Sequence, residues 1–130
     1  MTVPPSLAVP ARRISAQDIE SYASLTGDYN PLHLDAEFAA RTRFGQPIVY
    51  GTLLLAPIWE TLAREFGGAA LEGARAAVEF KRPIKVGSLL HMEGVLVESD
   101  SESTTYRFVV NDGHGGVAVD VNVILAVGGP

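Results

Sequence analysis

The stretch TLLLAPIWETLAREF, residues 52–66, sets the architecture. Up to Ile58 it offers water nothing but one threonine hydroxyl, and charge enters only at Glu60, Arg64 and Glu65. A segment that is apolar on every side reads as a helix buried in the core. Pro57 lacks a backbone donor and should kink that helix or shift its start. GGAALEG, residues 67–73, then breaks the chain.

Downstream the pattern changes from helical to extended. ARAAVEFKRPI (74–84) reads as one strand stopped by its proline, VGSLLHMEGVLVESD (86–100) as a longer one, and STTYRFVVNDG (103–113) as a third. NDGHGG (111–116) is a turn signal. The last stretch alternates, with Val117, Val119, Val121 and Val123 on one face against Asp120 and Asn122 on the other. Upstream, a Pro-rich start leads into a short strand near 7–14. Ser15 then caps an amphipathic helix over 16–25, with Asp18 completing a capping box and Gly27 ending it. Asn30-Pro31 holds GDYNPLH in a loop, because the residue before a proline is pushed out of the helical region. Asp35 caps a second short helix with Phe38 and Ala39 on its apolar side. The order is strand, helix, short helix, buried helix, then four strands. That order predicts an α+β fold, an antiparallel five-stranded sheet wrapped around one buried central helix, in a single domain spanning residues 1–130. Such a sheet leaves an edge to cover, so a homodimer that continues the sheet is expected.

Composition removes several classes of function. At 130 residues and 47% hydrophobic, the chain suits one globular core. A net charge of −5 is wrong for a nucleic-acid binder. The absence of any long apolar run argues against a membrane span, and MTVPPSLAVPARR places its basic pair after its apolar part, the reverse of a signal peptide. A cytoplasmic protein is expected. With no cysteine and three scattered histidines (His33, His91, His114), neither thiolate chemistry nor a metal site is expected.

The polar chemistry concentrates in LTGDYNPLHLD, residues 25–35. Taken singly, Asp and Asn in a Gly/Pro loop are turn formers. Taken together, YASLTGDYNPLHLDAEFAARTRFGQPIVYG closely resembles the hydratase-2 signature of the MaoC-like hydratase/dehydratase family: Tyr22-Ala23, Thr26-Gly27-Asp28, Asn30-Pro31-Leu32-His33, Asp35, Phe38-Ala39, Phe44-Gly45, Pro47-Ile48 and Gly51 all match. FKRPIKVGSLL also looks like that family's approach to a strand. The resemblance implies a hot-dog fold. It also implies a hydro-lyase that adds water to a 2-enoyl thioester or removes it from a (3R)-3-hydroxyacyl thioester. The substrate would ride on coenzyme A or an acyl carrier protein, and no other cofactor would be needed.

By the same resemblance Asp28 and His33 are the acid/base pair and Asn30 positions one of them or the water. Gly51 offers its backbone N–H to the thioester oxygen. The family often has His-Gly-Met or His-Gly-Leu where this chain has Tyr50-Gly51-Thr52, and a serine where Ala56 stands. Tyr50, Thr52 and Ala56 are therefore expected to line the acyl pocket. Two other readings compete: a partner-dependent, non-catalytic thioester-binding subunit, and a hot-dog thioesterase with Glu60 as its carboxylate. Lys81, Arg82 and Lys85 form one basic cluster and Arg41 with Arg43 another; either can reach carrier phosphates, although such charges are more often a solvated face.

Overall fold

The computed structural model describes residues 3–127. Five strands, β1 (Ser6–Arg13), β2 (Arg75–Phe80), β3 (Leu89–Ser99), β4 (Thr104–Asn111) and β5 (Val119–Leu125), form one antiparallel sheet in the order β1-β3-β4-β5-β2. Pro10 lies where the β1–β3 register shifts between Val9 and Arg12. A residue without an N–H is tolerated at such an irregularity on an edge strand. The inward faces of the strands carry Tyr106, Phe108, Val110, Val119, Val121 and Val123, all fully buried. Asp120 and Asn122 alternate with these valines at half-buried positions. Val117 precedes β5 rather than belonging to it, because the chain is still turning there.

Helix α1 (Ala16–Thr26) begins at a full capping box: Asp18 N–H donates to Ser15 Oγ at 3.1 Å and Ser15 N–H to Asp18 Oδ2 at 2.8 Å. Gly27 ends it in the left-handed conformation, φ 76°, donating to the Ala23 carbonyl. The buried helix is not continuous from residue 51. Residues Thr52–Leu55 wind as a 3-10 turn, and α4 runs Ala56–Phe66 with Pro57 in its first turn. Pro57 fixes that junction, since a first-turn residue has no helical acceptor to satisfy. Ile58 and Leu62 of α4 are fully buried and join the cluster formed with the sheet.

Two local features hold the sheet in shape. Gly94 in β3 sits under the Phe108 ring: a Cβ there would lie 2.5 Å from Phe108 Cε1. At the end of β4, Arg82 grips Asp112 with two hydrogen bonds of 2.6 and 3.2 Å and donates a third to the Gly116 carbonyl at 2.7 Å. The guanidinium holds the buried Asp112 carboxyl below its ordinary value of 3.8. A carboxyl with a depressed native value stabilises the fold above pH 3.8 and loses that contribution as pH falls through the native value. Asp112→Asn is expected to cost about 2 kcal/mol in urea unfolding at pH 7. The difference from wild type should vanish in strong acid; a difference that persists there would rule out the ion pair as its source.

Candidate active site

The loop after α1 is built from its own polar side chains. Asp28 Oδ1 accepts the Asn30 N–H at 3.1 Å, and Asn30 Oδ1 accepts the Leu32 N–H at 3.0 Å. Asn30 keeps a non-helical backbone, φ −56° and ψ 122°, and Pro31 opens α2 (Pro31–Leu34). The expected loop therefore contains a one-turn helix, because an Asn cap and a first-position proline are what such a turn needs. Asp35 closes α2 and caps α3 (Ala36–Ala40), its Oδ1 accepting from Glu37 and Phe38. Ala39 of α3 is buried, while Phe38 remains 38% exposed.

This turn delivers His33 to the 46–51 segment. His33 Nδ1 lies 2.7 Å from the Ile48 carbonyl oxygen. A carbonyl only accepts, so Nδ1 carries the hydrogen. In the neutral ring Nε2 is then a lone pair with no protein partner among the described residues. The ring stacks on Tyr50, with centroids 4.0 Å apart. Tyr50 is buried, and its hydroxyl donates to the Asp28 backbone carbonyl at 2.6 Å. Burial first, and the Asp28 charge second, push the Tyr50 phenol above its ordinary value of 10.0, so it remains a donor through neutral and mildly alkaline pH. One aromatic side chain thus braces both predicted acid/base residues.

Asp28 is exposed and His33 half-buried. Among the described residues they share no direct hydrogen bond, and the second Asp28 carboxylate oxygen is uncommitted. Tyr50 thus ties the Asp28 main chain and the His33 ring to one side chain, and a carboxylate oxygen and an imidazole nitrogen are both acceptors to which a water can donate. Asn30 Oδ1 caps α2, the turn that carries His33.

Gly51 lies at the start of the 3-10 turn, and its N–H donates to no described group. A Cβ there would come within 2.9 Å of the Phe80 ring. The glycine therefore has a packing reason in addition to any ligand. Thr52 pairs its hydroxyl with that of Tyr22 at 2.5 Å, and the Tyr22 ring leans on Tyr50 with centroids 5.0 Å apart. Ala56 opens α4, half-buried against the core. Of the three residues expected to line a pocket, Tyr50 and Thr52 are linked through Tyr22 and stand beside the loop. Nothing in the sequence pattern announced those contacts; an aromatic before a helix-start glycine usually reads as core. His91 stands on the outer sheet face and His114 in the β4–β5 turn, both apart from this cluster.

The MaoC-like domain model matches residues 4–117, which include the loop, the buried helix and the sheet through β4. The chain belongs to the MaoC-like domain family. It is similar to an (R)-specific enoyl-CoA hydratase of Aeromonas caviae, 38% identical over 77 residues, which are 59% of this chain and 58% of that protein. It is also similar to a 3-hydroxybutyryl-CoA dehydratase of Methylorubrum extorquens, 31% identical over 87 residues, 67% of this chain and 55% of that protein. These matches span little more than half the length of the curated relatives. The solved (R)-hydratase from A. caviae superposes with a TM-score of 0.84 at 28% identity, covering 98% of this chain and 97% of that one. The MaoC-like chain therefore has the hot-dog fold that its motif implied.

In this MaoC-like chain, Glu60 is exposed on α4 and pairs with Arg12 of β1 at 3.1 Å. Among the described residues no three His, Asp or Glu side chains gather as metal ligands, and no helix is long and apolar enough to cross a membrane.

Proposed function

We propose that the chain hydrates a 2-enoyl thioester to the (3R)-3-hydroxyacyl thioester and catalyses the reverse dehydration. The observation that supports this reading is that Tyr50 both stacks on the His33 ring and holds the Asp28 main chain, near a Gly51 N–H that has no partner among the described residues. A water held between the Asp28 carboxylate and His33 Nε2 loses a proton to one of these acceptors as its oxygen bonds to C3. The C2=C3 π electrons move toward the thioester carbonyl, whose developing oxyanion takes a hydrogen bond from Gly51 N–H at the helix start. A proton from the pair is returned to C2, so the protonation of the site is restored. The similarity to the A. caviae hydratase and the M. extorquens dehydratase supports the thioester class. The chemistry asks for acid–base groups and an oxyanion donor, so the reading includes no metal or redox cofactor. The acyl group is carried on coenzyme A or on an acyl carrier protein.

The reading includes a homodimer. Edge strand β2 is exposed along almost its whole length, and Leu25 (83% exposed), Tyr29 (63%) and Phe80 (53%) surround the site with apolar surface. Pairing of β2 with its copy would cover that edge and enclose the loop. Light scattering on the purified protein tests this, and a monomer at micromolar concentration would withdraw it.

The decisive assay follows enoyl-thioester absorbance as crotonyl-CoA is mixed with the protein. Loss of the band supports hydration, and an unchanged band across acyl-chain lengths and both carriers would overturn it. Tyr50→Phe keeps the stack on His33 and removes the hydrogen bond to the Asp28 carbonyl. Its kcat is expected to fall about tenfold with KM little changed, because a positioning contact is lost and no substrate contact with it.

A further inference from the structure

Tyr22 and Thr52 meet through their hydroxyls at 2.5 Å, 30 positions apart in the chain. Tyr22 lies in α1, and Thr52 opens the 3-10 turn directly after Gly51. Each hydroxyl carries one hydrogen, and the bond between them uses only one. Neither side-chain oxygen has a second hydrogen-bond partner among the described residues. One O–H is therefore left over, whichever way the pair is oriented.

Acidity selects the orientation. A phenol is a stronger acid than an aliphatic alcohol and so the better donor. Tyr22 Oη–H then donates to Thr52 Oγ1, and the Thr52 O–H is the one that remains. A hydroxyl that accepts one hydrogen bond is polarised into a better donor for the next. Thr52 is also the outer member of the pair, exposed where Tyr22 is half-buried. Beside it, the Gly51 N–H donates to no described group. Two donors on consecutive residues are thus without an acceptor among the described residues.

The pair is tied to the acid/base residues by crossed contacts. Tyr22 reaches from the helix that leads into Asp28 to the residue after Gly51. Tyr50 reaches from the residue before Gly51 back to the Asp28 carbonyl and stacks on His33. The two tyrosine rings lean on one another, with centroids 5.0 Å apart. The Asp28–His33 loop and the Gly51–Thr52 turn are held in one relative position by these contacts.

We propose that the Thr52 hydroxyl is a second donor to the thioester oxygen, acting beside Gly51 N–H and oriented by Tyr22; this role rests on the function proposed above. An oxygen that gains charge has lone pairs for two donors, and each preorganised donor stabilises that charge. The Thr52 hydrogen stays on Oγ1 throughout, and no bond to the residue forms or breaks. Thr52 is then a catalytic residue, and Tyr22 is a positioning residue that acts through it.

The test measures crotonyl-CoA hydration by wild type, Thr52→Val, Thr52→Ser, Tyr22→Phe and the Tyr22→Phe/Thr52→Val double variant. Valine keeps the shape of threonine at an exposed position, so the protein should remain folded. Its kcat should fall about thirtyfold with KM little changed, because the contact strengthens only as charge develops. Serine keeps the hydroxyl and should restore most of the rate. Tyr22→Phe should lose about fivefold, and the double variant should be no slower than Thr52→Val. A Thr52→Val protein with kcat near wild type, or a serine variant as slow as the valine one, would overturn the assignment. A larger loss in Tyr22→Phe than in Thr52→Val would overturn it in favour of the phenol as the donor.

A second readout needs no turnover. Butyryl-CoA has no C2=C3 bond to hydrate, and a carbon-13 label at its carbonyl isolates one infrared band. In the bound complex that band should lie lower in wild type and Thr52→Ser than in Thr52→Val, since each hydrogen bond weakens the C=O. Equal frequencies in wild type and Thr52→Val would refute the second donor. If crotonyl-CoA is not hydrated while the band still responds to Thr52, the function above fails and the donor stands. If neither thioester binds, both fall.

Discussion

Asp28→Asn is expected to lower kcat for crotonyl-CoA hydration about a thousandfold while leaving the protein folded. The side chain is exposed, and the one hydrogen bond it accepts among the described residues, from Asn30 N–H to Oδ1, can be accepted equally by an amide oxygen. Tyr50 is held by the Asp28 main-chain carbonyl, which the substitution does not touch. Stability should therefore stay within about 0.5 kcal/mol of wild type. What changes is the uncommitted oxygen. A carboxylate that can take a water proton becomes an amide nitrogen that cannot. Crotonyl-CoA turnover measured beside a urea melt checks both halves, and a variant with near-normal kcat would remove Asp28 from the acid/base pair.

The second large effect concerns the sheet. Gly94→Ala is expected to destabilise the fold by about 3 kcal/mol. The added methyl would sit 2.5 Å from Phe108 Cε1 and 2.8 Å from Cζ. Phe108 is fully buried between the strands and the helix layer, so its ring has nowhere to go without displacing other core atoms. Gly51→Ala makes a useful contrast. Its clash is with Phe80, which is 53% exposed and free to swing outward. Thermal melts should show Gly94→Ala lower by about 10 °C and Gly51→Ala close to wild type. A Gly94→Ala melt indistinguishable from wild type would mean that the ring does not rest on the glycine.

Much of this was legible because the local rules agree with one another. Ser15 with Asp18 and Gly27 bound α1 at both ends, and the valines of β5 alternate as a half-buried strand must. The apolar run from Leu53 to Ile58 had no water-facing side and could only be buried. Pro57 signalled a break without saying of which kind; the answer, a 3-10 turn handing over to an α-helix, depends on how Leu53, Leu54 and Leu55 pack. The loop's residue types were plain, and their polar partners were not. Asn30 was expected to position one of the acid/base pair or the water, and its side chain caps the turn that carries His33. Tyr50 was expected in the acyl pocket, and no local pattern showed that it also meets the Asp28 main chain and the His33 ring. These are contacts between residues up to 22 positions apart in the chain, and no local pattern encodes which side of a ring faces which neighbour. The basic cluster of Lys81, Arg82 and Lys85 is a similar case: Asp112 pairs with Arg82, while no carboxylate among the described residues pairs with Lys85.

The oxygen that fixes the tautomer of His33 belongs to the main chain at Ile48. No exchange of a side chain can delete it. Ordinary sequence drift through the loop would leave the imidazole presenting the same nitrogen outward, and a change at position 48 itself would do the same so long as the peptide stayed in place. What would disturb it is a change of backbone, above all a proline at position 49, which would remove the N–H now bound to Ile84 and release the neighbouring peptide plane. In a nitrogen-15 spectrum of the neutral protein, Nδ1 of His33 should read as protonated in every side-chain variant of this segment and lose that signature only in the proline variant.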